Sequence, residues 1–351
     1  LFNLKKLTIV ILTYNRHKYL KHTLNYWLSY DVKVLILDGS FTKFEDSCLH
    51  EKNIKYIHDQ RSVNDRFLSS INYIDTEFML VSSDDEFFLP SALLKCIEFL
   101  SIDSSFSSCG GRAVGFRIKE KKIFGIRQYS KLRSLCLDHD NAADRIFKHF
   151  SSYVPAHFFS VIRTKKWKTI CSYVFQKKYS FYASFEMQME FLTMVSGKSK
   201  IISELMWMRN NEVARIDTKL ETPLEKWWYD KKYENEKISF LQIMKKASNE
   251  VSTNQNSEMN EYTISKLFEV YVKKLLEYKK KNFLRKILNL LPYRIESKLI
   301  KFLKKFHKIF TEKEKSLEDE INILKEEGVS VNLEELKKII SILQSPKNDI
   351  S

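Results

Sequence analysis

The chain has 351 residues, 44% of them apolar and 13% aromatic, with 7 Gly and 5 Pro, a composition that sustains a packed core and excludes disordered, collagen-like and linker-like chains. At roughly 150 residues per domain the length suggests about two domains. Lys and Arg number 59 against 44 Asp and Glu, a net charge of +15 that points to a polyanionic partner without choosing among nucleic acid, anionic membrane and phosphorylated substrate.

Leu7 to Leu12 is a continuous apolar, β-branched run, as expected for a strand buried on both faces. It follows Lys5 and Lys6 and ends at Tyr14-Asn15-Arg16 without a small-residue cleavage site, so it reads as a first strand and not as a signal peptide. Asn15 suits a helix N-cap, and Tyr19, Leu20, Leu24, Trp27 and Leu28 then share one helical face. Val32 to Leu37 is a second buried strand, closed by Asp38-Gly39-Ser40, and Ile54 to Ile57 a third, ending at His58-Asp59. Phe67, Ile71 and Ile74 mark a helix. Phe78 to Val81 is a fourth strand, ending at Ser82-Ser83-Asp84-Asp85, and Pro90 opens a helix carrying Leu93, Leu94, Ile97 and Leu100.

Such alternation gives an α/β fold with a mostly parallel sheet flanked by helices, and ligands of open α/β sheets sit at the carboxyl ends of the strands. That rim carries Thr13 to Arg16, Asp38 to Ser40, His58-Asp59 and Asp84-Asp85. Ala113 to Ile126 reads as a hairpin turning at Glu120 to Lys122. Asn141 to Phe150 and Lys165 to Val174 read as helices around an extended Val154 to Ile162. Ser184 to Val195 reads as a helix stopped at Gly197, and Ile201 to Met208 as a last strand. Beyond Pro223 the chain turns helical, with stripes at Ile264–Leu275, Leu284–Leu291 and Ile295–Phe310 and a capping box with a staple at Val331, Asn332, Glu335 and Leu336. The five cysteines form no C-x-x-C pair, which fits a reduced, cytoplasmic compartment. The longest uncharged stretch, His149 to Ile162, is too short and polar to span a bilayer.

The segment from Leu7 to Leu24 resembles the opening of family-2 glycosyltransferases of the GT-A fold, where a strand, a Thr-Tyr-Asn-Arg-like turn and a helix cradle a nucleotide. Ile36 to Ser40 looks like that family's second-strand motif, whose acid meets the donor base. Arg66, 18 residues before Asp84, matches its A-R-N helix in spacing; Ser83 to Leu93 is similar to its metal motif; Phe185-Glu186 with Gly197 matches its E-D…G helix. Ser82 and Phe185 stand where the family usually carries acids, and no Q-x-x-R-W of processive polymerases occurs.

The resemblance covers about residues 7–210 and implies a Rossmann-like GT-A catalytic domain, set at residues 1–220, while the apolar stripes and charge beyond it mark a helical region with basic amphipathic helices over 221–351. It implies an inverting glycosyltransferase that uses a divalent metal, Mn or Mg, and moves a sugar from a nucleotide-diphosphate donor, a UDP-sugar, to a glycan or lipid-linked glycan. Donor contacts then fall on Thr13, Tyr14, Asn15, Arg16, Asp38, Arg66 and Asp84, the metal on Asp85, and the catalytic base on Glu186, with Glu190 in reserve. The chemistry agrees: a hard cation on carboxylate oxygens neutralises a diphosphate leaving group, and a carboxylate deprotonates the attacking hydroxyl. His157 is a candidate acceptor contact, and Arg209 and Arg215 are candidate diphosphate contacts.

Residues 271–310 hold 13 Lys or Arg and two Glu, +11 of the net charge. Around Leu299 the apolar stripe faces away from Lys298, Lys301, Lys304, Lys305 and Lys308, a pattern that can lie on an anionic membrane and would place the protein at the inner face. No zinc finger, RNP-like or Gly-rich basic motif speaks for nucleic acid. The rival readings are a nucleotidyltransferase, a nucleotide-sugar-binding scaffold without catalysis and a basic membrane-surface adaptor.

Overall fold

A computed structural model describes residues 3–120, 122–154, 157–181, 184–212, 222–252, 259–290 and 315–344. The stripe at Ile295–Phe310 and Arg215 lie outside the described residues.

The first strand, β1 (Asn3–Thr13), runs into α1 (His17–Trp27), β2 (Asp31–Asp38), β3 (Ile54–His58), α2 (Val63–Ser70), β4 (Phe78–Ser83), β5 (Phe87–Phe88) and α3 (Pro90–Ile102). A long hairpin follows, β6 (Phe106–Lys119) and β7 (Lys122–Arg127), turning at Glu120, whose φ is +51°. Then come β8 (Cys136–Leu137), α4 (Ala142–Ser151), β9 (Val161–Arg163), α5 (Thr164–Val174), α6 (Ser184–Ser196) and β10 (Lys198–Asn210). The carboxyl-terminal part adds α7 (Leu224–Tyr229), α8 (Glu234–Val251), α9 (Glu261–Leu290), β11 (Lys315–Ser316), α10 (Leu317–Glu326) and α11 (Leu333–Gln344).

The sheet runs β11-β7-β6-β9-β4-β1-β2-β3, with β10 beside β6. β4, β1, β2 and β3 pair in parallel, as does β10 with β6; β9 and β7 join antiparallel. Because side chains alternate along a strand, each central strand feeds two cores. Val10, Leu37 and Met79 face one core with α4 to α9, and Ile9, Ile36 and Leu80 face the other with α1, α3, α10 and α11. Helices therefore cover both faces of the sheet, which explains why its strands read as unbroken apolar runs. The helices beyond Pro223 complete these same cores: Trp227 and Phe240 pack on Phe181, and Leu317, Ile321 and Ile339 lie with Leu24 and Trp27.

Three local expectations differ. Asn15 does not cap α1; Arg16 holds that position, and Asn15 takes φ +55°, a region asparagine tolerates. The stretch expected as extended, Val154 to Ile162, contains a 3-10 turn at His157–Phe159 before β9. Asn332 does accept from the N–H of Glu335 at 3.2 Å, but Glu335 turns to Ser91 instead of closing the capping box. The reciprocal box belongs to Ser316 and Asp319 at the start of α10.

Candidate active site

The carboxyl ends of β1, β2 and β4 lie side by side in parallel register, Thr13 opposite Asp38 and Leu12 opposite Ser83. The left-handed turn at Asn15 folds the chain back over this edge. Its N–H donates to Ser40 Oγ at 2.7 Å, and its Oδ1 accepts from the N–H of Phe41 at 3.0 Å. Two strand-end loops are thereby locked to each other. Tyr14 stays half exposed, its ring edge-on to Phe41.

Asp38 is completely buried. Its Oδ1 accepts from the N–H of Ser40 at 2.8 Å, and Oδ2 accepts from the Tyr56 hydroxyl at 2.7 Å and lies 3.0 Å from His17 Nε2. Burial pushes its pKa up, but the bonds from Ser40 and Tyr56 and the nearby His17 outweigh that and hold the carboxyl below its ordinary range. Arg66, also buried, donates from Nη1 to the carbonyls of Thr13, at 3.1 Å, and Leu37, at 2.8 Å, so one guanidinium ties the ends of β1 and β2. Gly39 makes room for it: a Cβ there would stand 2.5 Å from Arg66 Cζ.

Asp84, Asp85 and Glu86 follow β4 as three consecutive buried acids. Thr13 Oγ1 donates to Asp84 Oδ2 at 2.7 Å. Arg16 bonds Asp85 Oδ2 through Nη2, which also lies 3.3 Å from Asp84 Oδ1. Trp207 Nε1 donates to Glu86 Oε2 at 3.0 Å, and Arg209 Nε stands 3.7 Å from Glu86 Oε1. Burial raises Asp84 to about 7 despite Arg16, and raises Glu86 to about 8, with the neighbouring Asp85 adding to the shift. Asp85 is raised as well, by burial, against the pull of Arg16 and Arg209. Three acids and two guanidiniums thus share one edge in a poorly solvated setting.

Asp84 Oδ1 has no hydrogen-bond partner among the described residues although its residue is 1% exposed. A buried carboxylate oxygen without a hydrogen bond, with the Arg16 guanidinium 3.3 Å away and a second carboxylate beside it, fits a hard divalent cation, which takes one or two carboxylates together with phosphate oxygens. Asp84 and Asp85 would hold it, and Arg16 would give up its place between them. A cleft of about 200 Å³ opens beside Asp85, lined among others by Lys18, Tyr19, His22, Thr23 and Asn210. That is below the roughly 300–1,000 Å³ of a full small-molecule site. It has room for part of a ligand, and Lys18 and His22 give its wall groups able to meet an anion.

The structure therefore links Thr13, Asn15, Arg16, Asp38, Arg66, Asp84, Asp85 and Arg209 through one set of contacts. Glu186 and His157 stand elsewhere. Glu186, half buried in the first turn of α6, accepts from the Tyr153 hydroxyl at 2.8 Å. His157 is 1% exposed, against Ser199 and His149, so an acceptor cannot reach it as placed. His17, Tyr56 and Glu86 also belong to this edge; His17 and Glu86 lie inside the Leu7–Leu24 and Ser83–Leu93 stretches, but neither carries a site role there. The only signal was adjacency, Glu86 following Asp85 and His17 following Arg16.

No family model matches the chain, and no curated protein matches it. Among solved structures it is similar to residues 1–349 of S. aureus TarS in complex with UDP-GlcNAc, at 13% identity and a TM-score of 0.47, covering 78% of this chain and 92% of that one. The same segment in complex with UDP aligns at 14% identity and a TM-score of 0.43, covering 83% and 94%.

Proposed function

We propose that this chain is an inverting, metal-dependent glycosyltransferase that takes a sugar from a nucleotide-diphosphate donor, a UDP-sugar, to a glycan or lipid-linked glycan. The observation that carries the reading is the convergence of Asp84, Asp85, Arg16 and Arg209 at the carboxyl edge of a parallel sheet, beside a cleft with Lys18 and His22. Such an edge offers anionic oxygens for a cation and guanidiniums for a diphosphate, the two needs of a nucleotide-sugar leaving group. A divalent Mn or Mg ion on Asp85 and Asp84 would offset the charge that develops on the departing diphosphate.

The chain's own residues do the rest. Thr13 and Asn15 shape the turn over which the nucleotide lies, and Asp38 acts on the donor through the Ser40 loop and His17, which it holds. Arg66 keeps the ends of β1 and β2 at fixed spacing beneath the donor. Arg16, freed from Asp85, turns to a phosphate oxygen, and Arg209 faces the same charge. Glu186 takes the proton of the acceptor hydroxyl, its carboxylate oriented by Tyr153. The basic segment within 271–310 holds the enzyme on the anionic inner face of a membrane, where a lipid-linked acceptor resides.

A screen of nucleotide sugars for diphosphate release, with and without manganese, tests this. Release with a uridine donor that needs the metal, and its loss in Asp85→Asn with an unchanged melting temperature, is the expected result. Donor binding without release in every condition would make the protein a scaffold, and no binding at all would end the reading.

A further inference from the structure

A second polar cluster lies inside the core, apart from the edge just described. His149 on α4, His157 in the 3-10 turn before β9 and Glu190 on α6 are each at most 1% exposed. His149 Nε2 is 2.8 Å from Glu190 Oε2, the two imidazole rings stand 4.7 Å apart, and one ligand atom from each residue lies within 4.8 Å of the others. The surroundings hold these groups in place: His157 Nδ1 is 2.9 Å from Ser199 Oγ, and Glu190 Oε1 accepts from the N–H of Phe158 at 2.6 Å. Hydrogen bonding does not exhaust the cluster. His157 Nε2 and His149 Nδ1 have no partner among the described residues, and an unpaired polar atom in a core costs free energy.

We propose that His149, His157 and Glu190 bind a structural zinc ion that fastens α4, the 157–159 turn and α6 together. Two imidazoles and a carboxylate are a donor set zinc takes, and His157 fits the part closely, with Nδ1 on a hydroxyl and Nε2 left for the metal. Ligand atoms about 2.0–2.1 Å from zinc stand roughly 3.3 Å apart, so small side-chain rotations would open the 2.8 Å contact of His149 with Glu190 and close the longer spacings, none above 4.8 Å. Burial holds both imidazoles in the neutral form that donates a lone pair, His149 pushed down to about 3 and His157 to about 4. A divalent ion would also compensate the Glu190 carboxylate, which burial drives up to about 7 against the pull of His157 and the N–H of Phe158. Bulk solvent does not reach the cluster, so the fourth position of a tetrahedral ion falls to an enclosed water, and the ion serves packing and not catalysis. Among the described residues no other trio of His, Cys, Asp or Glu side chains converges in this way.

The test uses the full chain carrying Asp85→Asn, so that an ion at the sheet edge is not counted. Elemental analysis should find about one zinc per chain. The chelator-treated protein should melt lower, recover with zinc, and show the intense visible bands of tetrahedral cobalt when titrated with Co²⁺. His157→Gln should lose the ion, and Ser199→Ala, which keeps all three ligands, should weaken it by about 10–100-fold. Should His157→Gln fail to fold, the cobalt titration and Ser199→Ala decide. A protein with no zinc, no cobalt bands and a melting temperature indifferent to chelator overturns the proposal, as does an ion retained in folded His157→Gln. Because Asp85→Asn removes the proposed donor metal beforehand, neither result depends on the glycosyltransferase reading.

Discussion

Glu186 and Glu190 stand one turn apart on α6 but in different surroundings. Glu186 is half buried with a tyrosine hydroxyl on its carboxylate, whereas Glu190 is sealed in the core against His149. Of the two, only Glu186 is reached by solvent. Glu186→Gln is expected to lower turnover about 10²–10⁴-fold, the usual worth of a general base, with donor affinity nearly unchanged in single-turnover and binding assays. Normal transfer by this variant would remove α6 from the mechanism. Glu190→Gln should instead lower the melting temperature. At the edge, Asp84 carries a different cost. Its folded pKa, about 7, lies above its unfolded value, so its contribution to stability is present below about pH 4 and is lost as pH rises toward 7. Asp84→Asn should therefore leave metal-free stability near pH 4 unchanged and raise it at pH 8, by up to about 4 kcal/mol, in urea denaturation at both pH values. A gain that is equal at both would mean that the buried charge is not the cause. The acids were legible because they follow a strand end in sequence. Asp38's partners were not, because Tyr56 and His17 reach it only across the sheet.

At the scale of elements, apolar periodicity placed the strands and helices of the first hundred residues closely, since unbroken β-branched runs and 3.6-residue stripes answer directly to burial. It misread what polar side chains do at the ends. Glu335 shows why. A capping box is a local pattern, but this carboxylate finds a better use at the start of another helix, where it accepts from the N–H of Ser91 at 3.0 Å and its hydroxyl at 2.8 Å. It thus caps α3 from α11, across 244 residues of chain. Glu335→Ala should cost about 0.5–2 kcal/mol in chemical denaturation, the range of a lost N-cap, although α11 keeps its own Asn332. A loss below about 0.3 kcal/mol would show that water replaces the carboxylate at no cost. The 157–159 turn escaped the pattern for a related reason: His157 is polar yet buried, and its partner Ser199 comes from β10, 42 residues away.

For the whole molecule, the carboxyl-terminal helices are structural members and no detachable tail. Removing residues from 315 onward would strip Leu317, Ile321, Leu324, Leu336 and Ile339 from the core shared with Trp27 and Leu24, so that truncation should aggregate. The proposed membrane contact is better tested by charge. Replacing Lys298, Lys301, Lys304, Lys305 and Lys308 with Gln should abolish sedimentation with anionic vesicles while the melting temperature holds. In the unaltered protein, salt should weaken vesicle binding, because screening acts over about 8–10 Å at physiological strength. Unchanged sedimentation would assign those lysines to solvent. No helix of the described residues is long and apolar enough to cross a membrane.

The placement of α11 against α1 also bears on how the protein is born. Lys338 lies 4.5 Å from the Tyr30 ring, and Ile339 closes the core over Trp27, so α1 waits for α11. On a ribosome adding about 5–20 residues per second, the roughly 300 residues between them take on the order of 15–60 s. Throughout that interval one face of β1, with Ile9 and Ile11, is only partly roofed by α1 and α3. Slower translation of the segment between α1 and α11 lengthens the exposure of that apolar face.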